Sequence, residues 1–372
     1  MNRPVKVLYF VDRMLRGGIQ SLVIDWVSRF DKNKIQVDFL LLDDGKKYEL
    51  EDTLKRLGCG VYKLNGIWIN KPLDFLKEAK ALDTFFKDHH DYKVVHMHST
   101  SKNYMVLKYA KKYGIPIRIT HSHASDFQTD SKIKKIIGNL LKSRIIKYST
   151  DFFACSQNAG KWLFGEKILN SNKFTVIKNG VDYDKYRFNE KNRKEIRNKY
   201  NIKDSDILIG HIGRFTEVKN HNFMVDLIYK LIKENDNYKI MFIGEGILEE
   251  QIKNKVNKLN IQDYVIFTGY QSDVSKYLSA FDLFILPSIY EGLGLVLIEA
   301  QANGLKCIAT NKTIPNDVKL SKEFEFIELD ISKWINNITT TVIRRNNNYV
   351  EMKKNGYIIE DSLVKLMDIY NQ

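Results

Sequence analysis

The sequence predicts an α/β protein: two doubly wound, Rossmann-like domains, each a parallel sheet with helices on both faces, facing a central cleft. Three observations predict it. Short apolar runs alternate with longer amphipathic stretches along most of the chain, the pattern of βαβ units. The alternation stops in the charged stretch 183–206 and then restarts. The length, 372 residues, suits two domains at roughly 100–200 residues each.

In the first half, VKVLYFV (5–11), VDFLLL (37–42), YKVVHMH (92–98), PIRITHSH (116–123), DFFACS (151–156) and KFTVIKNG (173–180) read as buried strands. GIQSLVIDWVSRF (18–30) and LKEAKALDTFFKDHH (76–90) carry helical periodicity between them. The stretch 183–206 has no strand signal and marks the domain boundary, giving a first domain over 1–185 and a second over 186–355. The second half repeats the scheme. Its strands are ILIGHIGRF (207–215), YKIMFIGEG (238–246), YVIFTG (264–269), LFILPS (283–288) and KCIAT (306–310), with helices at 220–234, 247–259, 272–280 and 295–303. The last amphipathic stretch is set apart as a C-terminal helix (356–372) whose periodicity suits packing on either domain.

Composition narrows the class. Hydrophobic residues make up 44% and charged residues 28%, the balance of a folded globular chain. Five prolines and 20 glycines exclude collagen-like and low-complexity readings. Cys59, Cys155 and Cys307 are far apart and odd in number, so neither a disulfide framework nor a CxxC knuckle is expected, and a reducing compartment is. The N-terminal apolar run is too short for a signal sequence, and no stretch approaches 18 apolar residues. A cytoplasmic location is therefore expected, with peripheral contact to the inner face of the cell membrane as its variant. The formal net charge of +14 suits nucleic acid, anionic lipid or phosphorylated small molecules, and by itself chooses none of them.

In doubly wound sheets, ligands bind beyond the carboxyl ends of the strands, so the strand-to-helix loops carry the chemistry. In PSIYEGLGLVLIEAQANG (287–304) a turn formed by Glu291, Gly292, Leu293 and Gly294 leads to an apolar helix start lacking a Ser, Thr, Asp or Asn cap. Its first N–H groups are free for a phosphate, and the glycines admit close approach. Glu291 and Glu299 would flank that phosphate and accept hydrogen bonds from sugar hydroxyls. The alternative is a tight turn followed by a solvated glutamate. In GRFTEVKNH (213–221), Arg214 and Lys219 fall where strand gives way to helix, as a diphosphate clamp requires; the alternative is a solvated basic loop. RGGIQS (16–21) is a Gly-Gly turn without the GxGxxG spacing, which disfavours a nicotinamide dinucleotide.

Together these residues resemble a known family. EGLGLVLIE, with Glu291 and Glu299 eight apart, is similar to the EX7E motif of retaining GT-B glycosyltransferases of family 4, and GRFTEVKNH resembles that family's cationic clamp. GGIQ, VVHMHS, ITHSH, FACSQNAGKWLFG, VIKNGVD, FIGEG and FTGY follow in family order over roughly residues 5–310. The likeness is greatest to transferases of bacterial capsule and exopolysaccharide synthesis. The resemblance implies a GT-B fold and transfer of a sugar, with retention, from a nucleotide-diphosphate sugar to a hydroxyl of a glycan or polyprenyl-linked acceptor. UDP is the default nucleotide, and no metal or other cofactor is required. It further implies that Arg214 and Lys219 bind the diphosphate, Glu299 the ribose and Glu291 the transferred sugar. The main chain of Gly292, Leu293, Gly294 and Leu295 would hold phosphate and sugar, and that around Tyr270 would meet the base. Gly17 and Gly18 would let donor and acceptor approach, and His121 would contact the donor sugar. Leu293 stands where Phe is commoner and Lys178 where Pro is usual. Past residue 315 the likeness is thin, so packing of the C-terminal helix on the first domain is an analogy.

Three further features compete with this reading. His96/His98 and His121/His123 are spaced to share a strand face, as metal ligands would, which keeps a metal-dependent hydrolase as an alternative; no acidic third ligand has recognisable spacing. Asp182-Tyr183-Asp184 spells DxD but sits at the domain boundary and reads as a polar turn. SKIKKIIGNLLKSRIIKY (131–148) puts Ile133, Ile136, Ile137, Leu140, Leu141 and Ile145 at helical spacing among Lys132, Lys134, Lys135, Lys142, Arg144 and Lys147. A core-facing helix with a solvated basic face is the favoured reading of that segment, and contact with an anionic membrane the alternative. A non-catalytic membrane or nucleic-acid binder remains the third class; no nucleic-acid module motif accompanies the charge, so no nucleic-acid partner is expected.

Overall fold

The structure is a computed structural model describing residues 3–15, 17–64, 74–124 and 131–372. The chain forms two compact units, Met1–Asn179 with Glu360–Gln372, and Gly180–Ile359. Arg16 of the Gly-Gly loop, and residues 125–130 after ITHSHA, lie outside the described residues.

In the first unit the strands are β1 (Val5–Val11), β2 (Ile35–Leu42), β3 (Val61–Leu64), β4 (Val94–His98), β5 (Ile117–Ser122), β6 (Asp151–Ala154) and β7 (Phe174–Val176). They form one sheet in the order β3-β2-β1-β4-β5-β6-β7, every pair parallel. The second unit repeats the topology with β8 (Ile207–Ile212), β9 (Tyr238–Ile243), β10 (Val265–Phe267), β11 (Leu283–Leu286), β12 (Lys306–Thr310) and β13 (Phe324–Ile327), in the order β10-β9-β8-β11-β12-β13, again all parallel. Both sheets are covered by helices, which is why their strands are continuously apolar. Leu8, Tyr9 and Phe10 of β1, and Phe284, Ile285 and Leu286 of β11, are fully buried. The order reverses between β1 and β4 and between β8 and β11, so in each unit a crevice opens at the carboxyl ends of those central strands.

The units divide at 179/180 and at 359/360, a few residues from 185 and 355. Val181 N donates to Tyr357 O at 2.9 Å and Ile359 N to Val181 O at 3.1 Å. A Cβ on Gly180 would stand 2.8 Å from the Ile358 carbonyl, so both segments are held in the second unit. The C-terminal helix Ile359–Tyr370 returns to the first unit. Ser362 Oγ donates to Lys178 O at 2.8 Å, and the buried Tyr370 hydroxyl lies 2.8 Å from that of Tyr9.

The helix Lys132–Tyr148 corrects its core-facing reading. Ile133 is 70% exposed, Ile136 60%, Ile137 50% and Leu140 70%. The inner face consists instead of Gly138 and Ile145, with Ser101 Oγ donating to Gly138 O at 2.8 Å. Asp182, in the sequence DYD, caps the short helix Tyr183–Tyr186 by accepting from Lys185 N at 3.0 Å, as a polar turn should.

Candidate active site

At the reversal point of the second sheet, the loops after β8 and β11 are joined. Lys219 Nζ forms an ion pair with Glu291 Oε1 at 2.5 Å, and Ser288 Oγ donates to the same oxygen at 2.6 Å. The main chain fixes both residues. Ile289 N donates to Val218 O at 2.8 Å, Glu291 N to Thr313 O at 3.0 Å, and Asn220 Nδ2 to Pro287 O at 3.2 Å. Arg214 belongs to the same loop as Lys219 and is exposed; among the described residues its guanidinium has no ion pair or side-chain hydrogen bond. Thus one anchored and one unengaged cation border the crevice.

The helix Leu295–Ala302 starts beside this pair. Gly294 adopts φ 74°, the left-handed region that favours glycine, and no side chain caps the helix. Leu293 tucks into the core below the turn. Further along, Glu299 Oε1 accepts from the Tyr186 hydroxyl at 3.1 Å, which aims its carboxylate. Sequence reasoning missed Tyr186, which lies in the charged stretch just past VIKNGVD and DYD and belongs to neither motif.

The loop after β9 lies on the loop after β8, main chain against main chain. Phe215 N donates to Glu245 O at 3.1 Å and Leu248 N to Phe215 O at 3.2 Å. A Cβ on Gly246 would come within 2.4 Å of Phe215 O, and one on Gly244 (φ +139°) within 2.2 Å of Gly213 O. Gly246→Ala should therefore push the Arg214 loop outward and destabilise the protein by about 1–3 kcal/mol. Urea unfolding checks this, and an unchanged midpoint would contradict the packing described. Glu245, also missed, accepts from Tyr270 N at 3.2 Å and so sets the main chain there, with the Tyr270 ring half-exposed.

In the first unit, Gly17 precedes the helix Gly18–Arg29 in extended backbone. A Cβ on Gly18 would meet nothing within 4 Å, so that position is open. His121, at the end of β5, is fully buried. Its Nδ1 lies 3.2 Å from His96 Nε2, and His96 Nδ1 lies 2.6 Å from the Tyr370 hydroxyl. His98 Nδ1 and His123 Nε2 are 3.0 Å apart. The Nε2 atoms of His98 and His121 are buried without partners among the described residues. A cavity of about 150 Å³ opens here, lined by His98, Ser99, His121, Ser122, His123 and Trp162 among others. Burial holds His96, His98 and His121 well below the ordinary imidazole range, with the neighbouring rings adding to it, so all three are neutral. At the reversal point itself, Asp12 accepts from Ser99 Oγ at 2.5 Å and from Asn103 Nδ2 at 2.6 Å, and pairs with Lys102 at 2.9 Å. No motif flagged Asp12.

One ring nitrogen from each of His96, His98 and His121 lies within 4.8 Å of the others, so the histidines are a place where a metal ion could be tested for fit. A metal sits in the plane of each imidazole along the nitrogen lone pair, so ligating rings must converge. Here the rings stack instead. His121 and His123 have ring centres 4.1 Å apart and 21° from parallel, and His96 and His98 have theirs 4.1 Å apart, while both His96 nitrogens are already in hydrogen bonds. The arrangement fits a packed neutral stack better than a metal centre, and among the described residues no carboxylate joins the group.

Two parallel Rossmann-like sheets, with ion-paired loops at the reversal point of the second, define a two-domain α/β protein of the GT-B class. Residues 16–185 match the family model described as Glycosyltransferase Family 4, and residues 192–357 that described as Glycosyl transferases group 1. Between them the two models span most of the chain, and the protein belongs to this glycosyltransferase family. It is 28% identical over 381 residues to the putative glycosyltransferase EpsF of Bacillus subtilis, covering 100% of this chain and 98% of that protein. It is 27% identical to the UDP-Gal:alpha-D-GlcNAc-diphosphoundecaprenol alpha-1,3-galactosyltransferase of Escherichia coli, covering 99% and 97%. The crystal structure of Anabaena HepE in complex with UDP and glucose shares the fold with a TM-score of 0.78 at 17% identity, over 99% of this chain and 100% of that one.

Proposed function

We propose that the protein transfers a sugar from a nucleotide-diphosphate sugar, with a UDP-sugar as first choice, to a hydroxyl of a glycan or polyprenyl-linked acceptor in bacterial surface-polysaccharide synthesis. The observation that carries this is the Lys219–Glu291 pair at the reversal point, beside an uncapped helix start and an unengaged arginine. The named activities of the full-length relatives support it, as do the UDP complexes among its structural neighbours.

In this reading Arg214 and Lys219 hold the donor diphosphate, and the N–H groups of Gly292 to Leu295 take phosphate and sugar. Glu291 accepts hydrogen bonds from the sugar and Glu299 from the ribose, forming the two ends of the EX7E motif. The main chain at Tyr270 meets the base. His121 faces the donor sugar as a neutral ring, and Gly17 and Gly18 leave room for phosphates and acceptor. As the bond from sugar to diphosphate breaks, negative charge grows on the leaving oxygen, and the two cations and helix N–H groups stabilise it. The acceptor hydroxyl attacks from the same face, so configuration is retained. The cations supply the charge that a metal would otherwise bring, and none is required.

Thermal unfolding with UDP, GDP, ADP and their sugar conjugates, with and without EDTA, tests this. At 100 times its Kd a ligand stabilises by about 2.7 kcal/mol, so a UDP-dependent upward shift that survives EDTA is expected. The absence of a shift with every nucleotide would overturn the reading.

A further inference from the structure

The helix Lys132–Tyr148 turns its long aliphatic side chains away from the core. At about 100° per residue, Ile133, Ile136, Ile137 and Leu140 fall within one arc of roughly 100°. Exposures of 50% to 70% place that arc outward. Further along, Arg144 and Lys147 occupy the same arc, with Lys132 at its edge, all exposed. The outward face is therefore apolar in its first half and basic in its second, and 131–148 contains no acidic residue. The opposite side is fastened to the unit, with Ile145 fully buried, Ser101 Oγ bonded to Gly138 O, and Lys142 Nζ donating to Trp162 O at 2.6 Å.

We infer that this face docks the protein on an anionic lipid bilayer, with the four aliphatic side chains in the headgroup–acyl boundary and Lys132, Arg144 and Lys147 among the headgroup phosphates. Charge complementarity selects this occupant. A nucleic acid would use the cations but not four clustered aliphatics, whereas a second copy would bring the same positive charge against itself. A lipid surface uses both halves, because apolar insertion and attraction to anionic headgroups add. The inference stands on this helix alone and does not depend on the residues assigned to sugar transfer.

Co-sedimentation of the full chain tests it, using vesicles of phosphatidylcholine alone and of equimolar phosphatidylglycerol and phosphatidylcholine. Binding only to the anionic vesicles, weakening as salt rises, is expected. Ile136→Asp with Leu140→Asp should weaken it by about tenfold or more, and Arg144→Glu with Lys147→Glu should do the same chiefly at low salt. All four residues are exposed, so the variants should keep the parent thermal midpoint and nucleotide-induced shift. Failure of the folded parent to bind anionic vesicles would overturn the proposal, as would undiminished binding by Ile136→Asp/Leu140→Asp or equal binding to both vesicles. A parent that is dimeric in light scattering, with a monomeric Ile136→Asp/Leu140→Asp variant, would reassign the face to contact between copies.

Discussion

Arg214→Ala should lower sugar-transfer turnover by about 10²–10³-fold and leave folding stability unchanged. The rate effect is the size seen when one preorganised donor to a developing oxyanion is lost. Stability should hold because the guanidinium is exposed and, among the described residues, unpartnered, so nothing in the fold loses a contact. Lys219→Ala should cost at least as much turnover but with a structural penalty added. Lys219 is the cation against Glu291, whose side chain is only 11% exposed, and its removal leaves that carboxylate with Ser288 alone. A partly buried charge left short of a partner costs about 1–3 kcal/mol. The two variants therefore separate chemistry from folding. Initial rates with a UDP-sugar donor, read beside urea midpoints, check both; near-normal rates in both folded variants would dismiss the diphosphate clamp. Glu299→Ala should weaken nucleotide binding by about 1.5–3 kcal/mol as a lost charged acceptor, measurable by calorimetry.

The central strands and the second-unit loops were legible because their signals are local. Buried parallel strands are continuous apolar runs, and β1, β2, β4, β8, β9 and β11 lie where those runs lie. The strands left unread, β3 and β13, are four-residue edge strands, too short to stand out against their flanks. Periodicity identified the apolar stripe of 132–148 but could not say which way it points, since spacing fixes a shared face and not what covers it. The histidines show the same limit. Spacing pairs His96 with His98 and His121 with His123, whereas β4 and β5 lie side by side and the hydrogen bonds run across strands, from His96 to His121 and from His98 to His123. Register is a tertiary property. Tyr186 orients Glu299 from 113 residues away, and although Ser288 and Glu245 lie inside PSIYEGLG and FIGEG, only the folded chain shows that they hold Glu291 and the Tyr270 main chain.

Acidification from neutrality should destabilise the first unit more steeply than the second. Five histidines are buried, His96, His98 and His121 in the first unit and His211 and His221 in the second, and His123 in the first unit is half-buried. Burial depresses all six, His123 to about 3 and His221 to about 4, the others well below 6.5. In the unfolded chain each returns to about 6.5, so between that value and its folded pKa the unfolded state holds the extra proton. The stability contribution is thus complete above pH 6.5 and falls as pH drops toward the folded values, by up to about 1.4 kcal/mol per histidine and pH unit. Glu78 works in the opposite direction. Burial raises it to about 7 against an ordinary 4.5, so its folded form keeps a proton that the unfolded chain releases, and acidification from 7 to 4.5 adds stability. One carboxyl offsets one histidine, leaving about three uncompensated protons in the first unit against two in the second. With total stabilities of about 5–15 kcal/mol, that slope, about 4 kcal/mol per pH unit, exhausts the first unit between about one and four pH units below 6.5. Hydrogen exchange at pH 7.5, 6.5 and 5.5, corrected for intrinsic rates, should show protection lost first in β1, β4 and β5 and later in β8 and β11. His221→Phe, which removes a buried ring with both nitrogens unpartnered among the described residues and stacked on Phe215, should flatten the pH slope of the second unit alone. Uniform protection across that pH range would mean the histidines are solvated or charge-compensated, and the neutral stack around His121 would have to be abandoned.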